Sequence, residues 1–445
     1  MTRKLSAGVV ALVVALALVT GCSGTTGSTP PAPSSTASPG SPGGPGSPPP
    51  GGGAAQTETS GTAATTFNTN ISTQGWHYES TTADENAIRV EGRASVSLFS
   101  MTVHKTGDSS NTGNSDFYGQ NAGILVRDSG QLNLGDSTVR TDAVGANGVF
   151  VYNTGSAATL KDVIILTASN NSGGIDVAGG GTITASHLEI TTQGESSAAI
   201  RSDRGGGTMN VTQGNYVTNG VGSPAVYSTA DITVSDATLT ANSSEAVVIE
   251  GANQVRLNND TVTGNMTSSN GGAADNLHAV MIYQSMSGDA SNGGGMFAMF
   301  GGELTSRSGD TFYVTNTTAT ISLNSVAITN SPSGNLLTVA GNDGSRGWGA
   351  AGSNGGNCTL ETLGETMAGT ITVDSISSLT FNLIGGSAFT GTINPAGAAG
   401  TVTMKVASGS KWTLTADAYV TSFNGTKASV KANGHHLYVN GKVFV

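Results

Sequence analysis

The sequence predicts an all-β fold in which short strands stack coil upon coil, and three observations predict it. The first is composition: 11% charged and 5% aromatic residues with 65 glycines exclude a helical bundle. The second is a phrase of alternating apolar residues, such as GILVRD, GVFVYN and GIDVAG, which is typical of a half-buried strand. The third is the regular return of this phrase. It starts at Gly123, Gly148, Gly174, Ala199, Ala225 and Ala246.

Successive starts lie 25, 26, 25, 26 and 21 residues apart. At such a period each unit buries its apolar edge only by stacking on its neighbours, as in a solenoid. Within one unit, residues 174–194 divide at glycines into IDVA, TITA and HLEITT, which are three short strands. Three strands in a turn of this length are what a right-handed parallel β-helix needs, so the sequence predicts that fold.

On these repeats the sequence resembles the pectate-lyase-like superfamily of β-helix proteins, including its surface-adhesin and autotransporter-passenger members. The resemblance covers roughly residues 86–339. It is carried by repeat architecture, and no catalytic motif of the superfamily matches residue by residue. The resemblance therefore implies a fold and assigns no active-site residue.

The N-terminus carries an export signal. Arg3 and Lys4 precede an apolar run at residues 5–19, and the sequence VTGC closes it at Cys22. This resembles a bacterial lipoprotein signal with its lipobox, which implies that Cys22 is diacylated and becomes the mature N-terminus. An ordinary signal peptide or an uncleaved membrane anchor stays open as the alternative. We expect an exported protein, exposed outside the cytoplasm and anchored by lipid to the bacterial cell membrane.

The chain is expected to contain four segments. A signal peptide at 1–21 precedes a disordered tether at 22–60, because that stretch is almost entirely Pro, Gly, Ser and Thr. The β-helix is predicted at 61–357, and further coils with a cap at 358–445. Longer gaps between phrases predict inserted loops near 108–120 and 285–295, projecting from one face of the solenoid.

The repeat also separates the two faces of its first strand. The second and fourth positions are apolar or small and are predicted to point inward, so the third and fifth positions point outward. Stacked coils lie about 4.8 Å apart, so outward residues of successive coils form a surface. The candidate ligand-binding residues are Tyr152, Asp176, Arg201, Asp203, Arg204, Tyr227, Glu250 and Tyr283, together with Trp348 from the glycine-rich loop 340–356.

Aromatic rings stack on sugars, while carboxylates and guanidinium groups bond their hydroxyls, so this surface favours polysaccharide binding. Two alternatives stay open. In the first, the residues form only a solvated face whose charge pairs add tenths of a kcal/mol. Trp348 is either exposed for ligand capture or folded back over a coil edge.

A catalytic interpretation uses the same residues. The Asp176 and Asp203 backbones are expected about 8 Å apart, which is compatible with the acid and base of an inverting glycoside hydrolase. In a polysaccharide lyase, Arg201 is the nearest candidate to abstract a proton, beside a calcium-binding carboxylate cluster. No motif supports calcium, another metal or a cofactor.

The leading hypothesis is a non-catalytic, adhesin-like β-helix protein, monomeric, that binds polysaccharide or cell-surface glycans. The alternative is a polysaccharide lyase or glycoside hydrolase that acts in the outer groove. The net charge of −11, without a basic patch, argues against a nucleic-acid partner.

Overall fold

The computed structural model describes residues 58–268, 276–332, 334–397 and 400–445. They form a parallel β-helix, which confirms the predicted all-β fold, with the predicted three strands per coil up to Thr329 and two strands per coil from Leu337 onward. The predicted signal peptide, Cys22 and almost all of the tether lie outside the described residues. No helix in the described ranges is long and apolar enough to cross a membrane.

The first sheet contains the opening strand of each coil, and its described strands all pair in parallel. They are Thr62–Phe67, Glu85–Val90, Ile124–Val126, Val149–Tyr152, Ile175–Ala178, Ile200–Ser202, Val226–Ser228, Val247–Glu250, His278–Tyr283, Asp310–Thr315, Leu337–Val339, Thr366–Val373, Ala388–Ile393, Lys411–Leu414 and Val430–Lys431.

The second sheet contains the remaining strands, two per coil up to Thr329 and one per coil from Leu337 onward, and the two fuse into single 12-residue strands at Gly181–Thr192 and Gly207–Thr218. Its remaining described strands are Ile71–Gln74, His77–Ser80, Ser95–Phe99, Thr102–Lys105, Gln131–Gly135, Thr138–Thr141, Ala157–Lys161, Ile164–Thr167, Asp231–Ser235, Thr238–Ala241, Gln254–Asn258, Thr261–Gly264, Gly294–Phe300, Glu303–Ser306, Thr318–Asn324, Ala327–Thr329, Asn357–Leu363, Ser378–Ile384, Thr401–Val406 and Ser422–Asn424.

A small third sheet lies at the C-terminal end. Ala418–Val420 pairs in parallel with Leu437–Val439, which turns back to pair antiparallel with Lys442–Val443. A 3-10 turn at Lys427–Ser429 precedes the last strand of the first sheet. Antiparallel pairing at this end closes the stack, because a further parallel coil can no longer add to it.

The register agrees with the predicted inward positions. Ile175 lies between Val149 and Ile200 on the neighbouring coils, and all three side chains are fully buried. One apolar core therefore runs along the inside of the stack. Strand Asn357–Leu363 crosses the boundary predicted at 358, and it pairs with strands on both sides of it.

Buried hydroxyl groups fix the turn that leads back into the first sheet. Thr192 donates a hydrogen bond to the carbonyl of Ser197, and Thr218 donates to that of Ser223 one coil further on. The serine hydroxyls accept hydrogen bonds from the preceding coil, from the Ser172 amide to Ser197 and from the Ser197 amide to Ser223. These bonds satisfy backbone groups that the sheets leave unpaired, so each turn stacks on the next.

Three insertions interrupt the coils within the described residues: the first insertion is 106–121, the second is 284–293 and the third is 340–356. A further polar stretch at 268–278 lies mostly outside the described residues. The first contains the helix Thr112–Tyr118, which begins after its cap Asn111 and ends at Gly119 with a left-handed φ of 67°. Sequence patterning predicts that insertions project from the solenoid. The structure instead packs residues of all three against the outward face of the first sheet.

Candidate functional site

The outward face of the first sheet is buried through its central coils, where the sequence predicts an exposed surface. Asp176, Arg201 and Asp203 are only 0%, 4% and 5% exposed. That expected exposure is wrong, because the insertions cover the face. The buried outward residues of this column are Leu125, Phe150, Asp176, Arg201, Tyr227, Val248, Met281 and Tyr313.

Under the first insertion, Arg201 is surrounded by three aspartates, and we call these four residues the acid cluster. Its guanidinium lies 2.9 Å from Asp116 Oδ1, 2.5 Å from Asp203 Oδ2 and 3.6 Å from Asp176 Oδ2. Asp116 belongs to the helix of the first insertion, whereas the other three residues belong to the first sheet and its following turn. The structure therefore does bring Asp176, Arg201 and Asp203 together, but as an attachment point for the first insertion.

Burial sets the ionisation of the acid cluster. It raises the pKa of Asp203 to about 8 and that of Asp116 to about 6, although Arg201 pulls both values down. Burial, and then the negative charge of Asp203, raise the pKa of Asp176 well above its ordinary value. Neither carboxyl oxygen of Asp176 has a hydrogen-bond partner. One arginine does not neutralise three buried carboxylates, so the cluster retains protons near neutral pH.

The same burial bears on the catalytic interpretation. A general acid or base must reach its substrate within hydrogen-bonding distance, and Asp176 has no exposed surface. Across the described ranges, no group of three or more His, Cys, Asp or Glu side chains is arranged to hold a metal ion. The cluster's geometry therefore fits attachment of the first insertion better than chemistry on a sugar.

Glu250 is the centre of a second buried network. Its Oε2 accepts hydrogen bonds from the hydroxyls of Tyr227, at 2.7 Å, and Tyr283, at 2.8 Å. Its Oε1 accepts a hydrogen bond from the hydroxyl of Ser285 in the second insertion. All four residues are buried. The network therefore attaches the second insertion to the first sheet. The side chains of Tyr227, Glu250 and Tyr283, predicted to bind a ligand, hydrogen-bond one another instead.

Trp348 is folded back over the coil edge, the second of the two alternatives for this residue. It is 1% exposed, and its ring lies 4.6 Å from that of Tyr283 between centroids. The Arg346 guanidinium covers the ring at 4.1 Å. The third insertion is thus fastened by a buried aromatic contact.

Arg204 lies where the first and second insertions meet. Its guanidinium is 4.1 Å from the Phe117 ring of the first insertion and 2.7 Å from Asp289 Oδ1 of the second. The Arg204 side chain is still 47% exposed. Of the predicted residues on this face, Arg204 and the half-buried Tyr152 reach the surface.

Arg204 and Tyr152 both line cavities along the turns that follow the first-sheet strands. The first cavity, of about 140 Å³, contains Glu58, Tyr118, Arg127 and Tyr152. The second, of about 440 Å³, extends from Arg204 to Asn253 beneath residues 288–291. The third, of about 430 Å³, shares Ala230, Asp231 and Asn253 with the second and continues to Thr320.

We call these three cavities the turn groove. The neighbouring residues Phe117 and Tyr118 connect the first cavity to the second, because Tyr118 lines the first and the Phe117 ring lies 4.1 Å from the Arg204 guanidinium of the second. From the coil of Arg127 to that of Thr320, stacking at the usual strand spacing gives a length of roughly 30 Å. The turn groove is therefore long enough to hold an extended, linear ligand.

Residue-by-residue reading of the sequence misses Phe117, Tyr118 and Asp289, which belong to insertions outside the repeat. One signal pointed to them. Outward positions in the repeat include Leu125, Phe150 and other large apolar side chains, which a solvent-exposed face rarely collects in one column. An apolar outward column beside a gap in the repeat indicates that the inserted segment covers it.

Comparison with protein families agrees with this architecture. Residues 102–289 match the family model described as a right handed beta helix region, which supports the predicted handedness. Searches of curated proteins and of solved structures found no match.

Proposed function

We propose that this chain is a non-catalytic, surface-exposed β-helix protein that binds a polysaccharide along the turn groove. The observation that carries the proposal is that three cavities lie along the turns of the stack, the second and third sharing residues and the first lying two coils before them. A linear polymer with a repeating unit fits a groove whose walls repeat from coil to coil.

The lining of the groove has the chemistry of sugar recognition. Tyr118 and Tyr152 meet edge to face with centroids 5.6 Å apart at one end, and each offers an apolar ring with a polar tip. Further along, the partly exposed Asn253 and Gln254 supply amide groups that both donate and accept hydrogen bonds. Sugar hydroxyls require such mixed partners.

Two features favour binding without turnover. The carboxylates of Asp231 and Asp289 in the groove are each bonded to an arginine, at 3.0 Å and 2.7 Å. The acid cluster lies under the first insertion and away from the surface. A binding role therefore accounts for the geometry better than a lyase or a glycoside hydrolase does.

The proposal includes the position of the protein in the cell. Lipid at Cys22 would hold the chain at the bacterial membrane, and the Pro- and Gly-rich stretch up to residue 60 would extend the β-helix away from it. A monomer suffices, because the groove is formed by one chain. The acidic charge continues to argue against a nucleic-acid partner.

Glycan-array binding by the full chain tests the proposal. Gln254→Trp places a large side chain at the third cavity and should abolish binding. Thr380→Trp, at the same outward strand position four coils further on and outside the groove, should leave binding unchanged. Equal loss in both variants, or release of new reducing ends or unsaturated uronates by the wild type, would contradict the proposal.

A further inference from the structure

We infer that the turn groove takes an uncharged glycan and rejects polyuronates, and that Asp289 is the residue that determines this specificity. The inference rests on the proposed function, because it names the class of polysaccharide for the same groove. It starts from the arginines, since a guanidinium is the group that binds a uronate carboxylate best.

The arginine in the centre of the groove is already occupied. Arg204 Nε and Nη2 both donate to Asp289 Oδ1, at 3.0 Å and 2.7 Å. Its guanidinium also lies against the Phe117 ring at 4.1 Å. The second insertion thus delivers a carboxylate to the position where the carboxylate of a uronic acid would otherwise bind.

The other arginines at the groove have the same arrangement. Arg127, in the first cavity, lies 2.9 Å from Asp128 Oδ2. Arg256 lies 3.0 Å from Asp231, which lines the second and third cavities. Each of these three arginines therefore has its own carboxylate, and both arginines among the described residues that line the cavities, Arg127 and Arg204, are already paired.

The remaining charges repel anions. Asp231 and Asp289 are each balanced by an arginine, so the repulsion comes from Glu58, which lines the first cavity, and from the net charge of −11 on the whole chain. A polyuronate would bring one negative charge per residue beside these negative charges, which are the repulsive element that gives specificity. An arginine–aspartate pair still offers donors and acceptors to neutral hydroxyls.

Binding of the full chain to matched polymers tests the inference. The probes are a neutral glucan, a neutral xylan and polygalacturonate, measured by calorimetry at 50 mM and 500 mM salt. We expect the wild type to bind a neutral polymer at least about tenfold more tightly than polygalacturonate, with little effect of salt. Asp289→Asn should free Arg204 and raise polygalacturonate affinity about tenfold at 50 mM salt, and most of this gain should be lost at 500 mM salt.

Asp136→Asn is the matched control. It removes the same charge at an exposed turn on another edge of the coil, where its left-handed φ of 48° suits asparagine. It should change neither affinity. Asp231→Asn, which frees Arg256, is the second variant if Asp289→Asn fails to fold, and it should also favour polygalacturonate.

The outcomes separate the two claims. Tight polygalacturonate binding by the wild type, or no gain in either asparagine variant, overturns the inference and leaves the proposed function standing. Absence of binding to every polymer overturns both.

Discussion

The central and the C-terminal coils share one buried apolar core but present different outer faces. Inward residues are fully buried in both, as Ile175 is in the covered coils (strands 124–315 of the first sheet) and Phe389 in the bare coils (strands 366–431). Outward residues of the bare coils lie in register with no insertion over them. They are Ala368, Thr390, Thr413 and Lys431, and three of the four are exposed. The repeat therefore determines the core, whereas the insertions decide whether the outer face is a surface.

The largest expected effect comes from removing the charge that holds the first insertion. Arg201→Met should lower the free energy of unfolding by about 3–5 kcal/mol, because three buried carboxylates lose their only cation. Urea unfolding measures it. Lys431→Met removes a positive charge from an exposed outward position of the bare coils and should stay within about 0.5 kcal/mol. Equal losses of unfolding free energy in the two variants would mean that an insertion over the outer face does not change the contribution of an outward charge.

A change of pH should also alter stability through the acid cluster of the covered coils. Unfolded aspartates titrate near 3.8, but the pKa is about 6 for Asp116 and about 8 for Asp203 in the folded chain. Between about pH 4 and 8 the folded state therefore holds more protons than the unfolded state, so stability falls by several kcal/mol as pH rises. Urea unfolding at pH 5 and pH 8 measures the fall. Asp203→Asn removes the group with the higher of the two pKa values and should flatten the fall, and a slope unchanged in that variant would exclude the acid cluster as its source.

The smallest effect concerns one hydroxyl. Tyr283→Phe removes one of the hydrogen bonds to Glu250 and should cost about 1.5–2 kcal/mol, because the acceptor is buried. Thr390→Val alters an exposed hydroxyl in the bare coils and should change stability by less than about 0.5 kcal/mol. Thermal unfolding of both variants compares them. A neutral Tyr283→Phe would show that Tyr227 and Ser285 alone satisfy Glu250.

Sequence reasoning predicts the fold because the fold depends on the inward half of each phrase. Ile175 and Val177 alternate with outward residues at a period of two, and recurrence every 25 or 26 residues sets the stacking. Both signals are local and repeat many times along the chain. They need no knowledge of what covers the coils.

The site is less predictable because it depends on long-range contacts. Asp116 and Arg201 are 85 positions apart in the chain, as are Arg204 and Asp289, and these pairs join insertions that do not repeat. The grouping of Asp176, Arg201 and Asp203 follows from the repeat and is found in the structure. Their burial does not follow from it, since nothing in the phrase says where an inserted segment folds.

The contact between the first insertion and Arg201 limits how the protein can vary in length. Its helix leaves the stack before strand Ile124–Val126 and contacts Arg201 three coils further on. Loss of one whole coil between these points would keep the turns in register but would shift Arg201 by about 4.8 Å relative to Asp116. Among the described residues of the bare coils, no insertion contacts a strand several coils away. Duplication or deletion of coils is therefore expected to be tolerated there, while the covered segment keeps a fixed number.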